Sequence, residues 1–263
     1  MLKSVLFDID NTLILFNEAR FFKSYLPRIT RAFDGLLSPD LFQKRLMSAT
    51  QALFHKGDSL SNAEFFLQEF SKGMEEKRPS FWSRFIRFYE TEFDSLRSLV
   101  TPVQGVKQIL TRLERMGVSL VAASNPVWPL VVQKIRLSWA GADDLPYALI
   151  THIENTRFCK PRLEFYGDIC ETLNLTPQSC LMVGNDLRND MIASRIGMKT
   201  YLTTDSSTDE FSNLKMSREI APDTDRDLPV PDCKGPLSRL PMAVENFLQD
   251  RPVSATGGAE ERR

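Results

Sequence analysis

The stretch "VLFDIDNTL", Val5 to Leu13, decides how this chain is read, because a run of strand-forming residues ends on two aspartates, Asp8 and Asp10. Val, Leu and Phe favour a buried strand, whereas Asp and Asn favour a turn. The plainest reading is that "DIDNT" stops the strand by hydrogen-bonding its own backbone. A calcium loop also opens D-x-D-N, but it needs Gly at its sixth position and Glu at its twelfth, where this chain has Leu13 and Ala19. Calcium is disfavoured and the turn stays open. A site, as opposed to a turn, requires other parts of the chain to supply partners for two crowded carboxylates.

Beyond Leu13 the pattern turns helical and aromatic from about Asn17 to Leu99, with no convincing strand. Phe81, Phe85 and Phe88 recur at three and four, the spacing of one helix face. "GDSLSN" at 57–62 and "KRPS" at 77–80 read as helix breaks, each offering Ser or Asn as a cap. The phenylalanines are expected to form the core of a helical bundle, with one or two lining a substrate mouth. From Thr101 strands and helices alternate. "TPVQGVKQILTRLERMG" carries the stripe Val106, Ile109, Leu110, Leu113 and Met116. The strand "VSLVAAS" follows, then "ALIT" at 148–151, a helix near 163–173, "CLMVG" at 180–184, a helix near 189–196, and "KTYLTT". Alternation of this kind predicts a parallel sheet with right-handed crossovers, joined by the strand that ends at Asp8.

Ligands of such sheets gather at the carboxyl ends of the strands. Those ends carry Asp8, then Ser124, then Lys160 in the loop after "ALIT", then Asp186 and Asp190. Carboxylates within about 4 Å repel by roughly 4 kcal/mol per pair at an effective dielectric near 20, so they protonate or hold a cation. Oxygen ligands select magnesium, which keeps several waters and shares its shell with a phosphate. A lysine and a hydroxyl would face the remaining phosphate oxygens, and a carboxylate can itself attack phosphorus.

Composition narrows the classes. The chain has 263 residues, 42% hydrophobic and 25% charged, with formal charge −1, as in an ordinary globular protein. No basic run suggests nucleic acid, and no stretch approaches the roughly 20 apolar residues that span a bilayer. "MLKSVLFDID" has no signal-peptide layout, so a cytoplasmic location is expected. Cys159, Cys170, Cys180 and Cys233 form no C-x-x-C pair, and His55 and His152 stand apart from them. Zinc and disulfides are therefore not expected; the cysteines read as small buried side chains, with Cys159, beside Lys160, the candidate for reactivity.

Taken together, "DIDNT", "AASN", "CKP" and "GNDLRND" resemble, in order, the four motifs of the haloacid dehalogenase-like (HAD) hydrolase superfamily, over residues 1–16 and about 100–204. The resemblance implies an α/β fold: a Rossmann-like parallel sheet core with helices on both faces, discontinuous over 1–16 and 100–250, plus an all-helical cap domain at 17–99; the polar, glycine-bearing residues 251–263 read by themselves as a flexible tail. The resemblance also implies that Asp8 is the nucleophile and binds Mg2+, and that Asp10 serves as acid and base and lends its main-chain carbonyl to the metal. Ser124, with the backbone amide of Asn125, would bind the phosphoryl group, and Lys160 would pair with Asp8 and that group. Asp186 would bind the metal and Asp190 orient the metal shell. Asn185 competes with Asp186 for the metal position, because many members read G-D directly; charge favours Asp186.

Family dehalogenases lack an acid at the position of Asp10, so a phosphatase acting on a small phosphorylated metabolite is expected. A phosphomutase and a non-catalytic phospho-ligand-binding protein stay as alternatives. Neither nucleic acid nor membrane is an expected partner, and the oligomeric state is open. The polar segment around 205–236 reads as a long surface connection with little regular structure, and "LPMAVENFLQD" as a closing helix.

Overall fold

The structure, a computed structural model, describes residues 1–57, 59–206 and 228–249. Strand β1 (Ser4–Phe7) is buried along its whole length. It lies between the parallel strands β4 (Ser119–Ala122) and β6 (Cys180–Gly184) in a sheet whose further members are β5 (Tyr147–Ile150), β7 (Lys199–Thr203) and β8 (Cys233–Gly235). The order is β5-β4-β1-β6-β7-β8, with every pairing parallel.

Alternation of side chains explains why these strands read as unbroken apolar runs. Val5 and Phe7 join one buried cluster with Leu120, Leu181, Leu110 and Val244. Leu6 joins another with Val121, Met182, Phe165 and Ala193. A strand covered on both faces has no polar side to show. Helices α5 (Val106–Arg115) and α8 (Leu240–Leu248) cover the first face; α7 (Leu163–Thr172) and the 3-10 turn Met191–Ile196 cover the second.

The helical stretch leaves the core after β2 (Ile14–Leu15) and returns at β3 (Thr101–Pro102), and these two short strands pair antiparallel. Between them run α1 (Glu18–Ala32), α2 (Pro39–His55), α3 (Asn62–Phe70) and α4 (Arg78–Thr91), followed by the 3-10 segment Phe93–Leu99. The break at 57–62 is capped as expected. Ser61 and Glu64 form a capping box, with Glu64 N donating to Ser61 Oγ at 3.2 Å. The break at 77–80 is different: α4 starts at Arg78 with Pro79 in its first turn and no side-chain cap, so Ser80 lies inside the helix.

Rings from all four helices pack on one another, with Phe33 4.4 Å from Phe42 and Phe85 5.0 Å from Phe70 between centroids. This aromatic core is continuous with the first face of the sheet, through Phe93 stacked at 5.2 Å on Trp139 at the end of α6 (Leu130–Trp139).

Two sequence expectations need correction. The helix read near 189–196 is shorter, a 3-10 helix over Met191–Ile196 that ends at Gly197, which takes a φ of 93°. Residues 233–235, read as irregular, form the edge strand β8; three residues in "DCKG" are too few to show a period. Residues 207–227 and the tail at 251–263 lie outside the described residues.

Candidate active site

The site is built where β1 stops. Asp8 N still donates to Val183 O at 2.9 Å, so the neighbouring strand fixes its position. The chain then turns at Asn11, whose φ of 55° is tolerated by Asn, and Asn11 Oδ1 accepts from Phe16 N at 3.1 Å. Asn11 therefore makes the turn. The two aspartates are left free to point elsewhere.

Asp8, Asp10, Ser124, Asn125, Lys160, Asp186 and Asp190, together with Asn185, all line one cavity of about 330 Å³. Lys160 is buried to 1% exposure and donates to Asp8 Oδ1 at 2.9 Å and to Asp190 Oδ1 at 2.6 Å. Burial pulls its pKa down, but the two carboxylates outweigh this and hold it above the ordinary lysine value. Asp190 is pushed up to about 7 by burial and by Asp8 and Asp186, against the pull of Lys160. The loop after β6 is closed by its own acids. Asp186 N donates to Asp190 Oδ2 at 3.1 Å, while Asp186 Oδ1 accepts from Arg188 N and Asn189 N, both at 2.7 Å. Gly184 is obligatory here: a Cβ on it would overlap the Asp190 carboxylate.

Asp10 is held by a residue that sequence reading missed. Arg136 on α6 is 3% exposed; its Nε donates to Asp10 Oδ1 at 3.1 Å and its Nη2 pairs with Asp10 Oδ2. The same guanidinium reaches Ser124 Oγ at 3.2 Å and Gln133 Oε1 at 2.5 Å. Burial raises the Asp10 pKa and Arg136 opposes the rise, with the net shift upward. A signal existed in the sequence: Val132, Gln133, Arg136 and Leu137 share the buried face of α6, so an arginine sits where an apolar residue belongs. Thr12, also missed, donates to Asn185 Oδ1 at 3.4 Å and lies 3.5 Å from Asp8 Oδ2.

Ser124 is buried just past the end of β4, and its carbonyl accepts from Thr151 Oγ1 at 2.8 Å. Beside it, Asn125 Oδ1 is buried without a hydrogen-bond partner. Cys159 corrects an expectation: it is buried, and burial pushes its thiol up to about 12, which makes it inert rather than reactive. All four cysteines are buried free thiols.

The expected crowding of carboxylates is met first by cations of the chain itself, Lys160 for Asp8 and Asp190, and Arg136 for Asp10. Among the described residues no three His, Cys, Asp or Glu side chains converge as a ready-made metal cage. Magnesium seldom uses one; it takes one or two carboxylates, several waters and substrate phosphate. The donor set fits that habit. Asp8 keeps one oxygen clear of Lys160, Asp186 has one oxygen committed to backbone amides, and four acids share the cavity with two cations that pair with three of them.

A family model described as haloacid dehalogenase-like hydrolase matches residues 2–196. No curated protein sequence matches the chain. Among solved structures, a 2-haloacid dehalogenase from Pseudomonas syringae pv. Tomato DC3000 is 18% identical, with a TM-score of 0.58 and coverage of 94% of this chain and 100% of that one. A HAD phosphatase from Thermococcus onnurineus is 19% identical, with a TM-score of 0.52 and coverage of 96% and 100%. A predicted phosphoglycolate phosphatase from Haemophilus somnus 129PT is 16% identical, with a TM-score of 0.51 and coverage of 92% and 98%. At these identities the likeness is one of fold. Among the described residues no helix is long and apolar enough to cross a membrane.

Proposed function

This chain belongs to the haloacid dehalogenase-like hydrolases, and from that premise we propose that it is a magnesium-dependent phosphatase that hydrolyses a small phosphorylated metabolite through an aspartyl phosphate on Asp8. The observation that carries the reading is the second acid, Asp10, lining the same cavity as Asp8 and Lys160. Carbon–halogen displacement releases halide and has no use for a proton donor; phosphate ester cleavage expels an alkoxide that needs one.

In this reading an Asp8 carboxylate oxygen attacks phosphorus as the bond to the ester oxygen breaks. Asp10 passes its proton to the departing alkoxide, and then takes a proton from the water that attacks the aspartyl phosphate and frees inorganic phosphate. Lys160 balances charge at Asp8, while Ser124 Oγ and the Asn125 amide hold phosphoryl oxygens. Arg136 aims Asp10 by gripping both of its oxygens. Asp8, the Asp10 carbonyl and Asp186 would hold magnesium, with Asp190 supporting them; the ion would supply positive charge against the phosphoryl oxygens.

We also propose residues 17–99 as a cap on a core of 1–16 and 100–250, supported by the aromatic wall that α1, α2 and α4 contribute to the cavity. A reducing, cytoplasmic setting is proposed on the four free thiols.

The test is phosphate release from a panel of phosphomonoesters, after chelation and magnesium add-back, for the parent and Asp8→Asn. The variant is expected to lose at least about a thousandfold, some 4 kcal/mol of barrier. Substantial turnover by Asp8→Asn, or full activity in metal-free protein, refutes the reading.

A further inference from the structure

The cavity that holds the acids continues away from them into the helical insert, and its far wall is not what sequence reading expected. Instead of one or two phenylalanines, the wall includes Phe21, Phe22, Tyr25, Trp82, Tyr89 and Trp128, with Leu26 and Met47 among the remaining side chains. Among the described residues its lining contains no Lys, Arg or His other than Lys160 and Arg136. Both are already paired, Lys160 with Asp8 and Asp190, Arg136 with Asp10. Among the described residues one acid, Glu18, lines it away from the motifs. A second anionic group on a substrate would therefore leave water for a wall of carbon and acids, with no cation to receive it. A polyhydroxylated body is similarly disfavoured, since each hydroxyl would forfeit its hydrogen bonds to water.

Besides Glu18 and Thr50, the insert's wall carries one polar pair. The hydroxyls of Tyr25 and Tyr89 are hydrogen-bonded to each other at 3.0 Å and buried. Such a pair shares one proton and keeps the other, so it offers a single donor to the lumen. Trp128 packs edge-on against both rings, at 5.2 and 5.9 Å, which fixes the pair in place. The volume of about 330 Å³ is at the lower end of the range of small-ligand cavities, roughly 300–1,000 Å³.

We propose that the substrate of this site is the phosphate monoester of an uncharged alcohol with a bulky, largely apolar body of aromatic dimensions and at most one or two hydrogen-bond acceptors. The phosphate faces Asp8 and Lys160, and the body lies among Phe21, Phe22, Trp82 and Trp128 beneath the tyrosine pair. This rests on the phosphatase reading above for its phosphate end. The apolar end rests on the cavity alone.

The test compares 2-phenylethyl phosphate with glycerol 3-phosphate and 2-phosphoglycolate. All three are esters of alkyl alcohols, so leaving-group ability does not favour the aromatic compound as it would for an aryl phosphate. Initial rates with the parent protein and magnesium give kcat/KM for each. Equilibrium binding of each to Asp8→Asn is followed by tryptophan fluorescence, since Trp82 and Trp128 line the lumen. Expected are a kcat/KM for 2-phenylethyl phosphate at least about tenfold above the other two and a matching order of affinity, because even one methylene in an apolar pocket is worth about tenfold or more.

Equal or better turnover and binding of 2-phosphoglycolate or glycerol 3-phosphate overturns the proposal while leaving the phosphatase reading intact. Tight binding of 2-phenylethyl phosphate with no phosphate released from any ester supports the apolar pocket and overturns the phosphatase reading instead.

Discussion

Lys160→Met isolates the electrostatic core of the site, because the new side chain keeps the length and removes the charge. Lys160 is 1% exposed and bridges Asp8 and Asp190, at 2.9 and 2.6 Å, with the Asp190 side chain itself only 2% exposed. Removing one partner of a buried ion pair costs about 3–5 kcal/mol, since the other charge is stranded. Here two carboxylates are stranded, so the upper end, about 5 kcal/mol, is expected at pH 8, as large as the whole stability of many domains.

The pH dependence has a definite sign. Asp190 is pushed up to about 7 by burial and by Asp8 and Asp186 even with Lys160 opposing, so without Lys160 it rises further. An acid whose folded pKa lies above its unfolded value of about 3.9 contributes stability that is fully present below the unfolded value and lost as pH rises through the folded one. The penalty of Lys160→Met should therefore be largest above pH 7 and shrink toward pH 5. Adding Asp190→Asn should recover about 2 kcal/mol at pH 8 by removing one stranded charge. Urea unfolding followed by far-ultraviolet circular dichroism, with chelator present so that no divalent ion replaces the lysine, measures all three. A Lys160→Met protein within about 1 kcal/mol of the parent at pH 8, or one equally destabilised at both pH values, would refute the reasoning.

Gly184→Ala should cost about 1–3 kcal/mol by overpacking and should lower kcat, because its Cβ displaces the Asp190 carboxylate from Lys160; parent-like urea midpoint and rate would show that the loop yields without consequence. Arg136→Lys keeps the charge but not the fork that grips both Asp10 oxygens, so kcat should fall at least about tenfold with KM little changed. Parent-like kinetics would exclude Arg136 as the group that aims Asp10. Asp186→Asn retains an oxygen for the Arg188 and Asn189 amides and loses only charge, so magnesium titration of the rate should show a larger rise in requirement than for Asn185→Ala. The reverse order would give the metal position to Asn185.

What the sequence alone determined is local or repetitive. The acids at the end of β1 are visible because strand-formers give way to turn-formers within five residues, and the parallel sheet is visible because short apolar strands alternate with helical segments. The same rule that gathers ligands at strand ends brought Ser124, Lys160, Asp186 and Asp190 to Asp8, and the structure sets all of them on one cavity.

What only the tertiary structure decided depends on contacts with no local trace. Arg136 meets Asp10 across 126 positions of sequence, and Tyr25 meets Tyr89 across 64. An amphipathic stripe tells which face of a helix is buried but not which strand end or ring it is buried against. The phenylalanines show the limit most clearly. Phe81, Phe85 and Phe88 recur at helical spacing on the buried face of α4, yet Phe85 also lines the cavity while Phe81 and Phe88 do not. Periodicity reports that a ring leaves water, and only the packing of one helix on another determines whether it meets another ring or an open lumen.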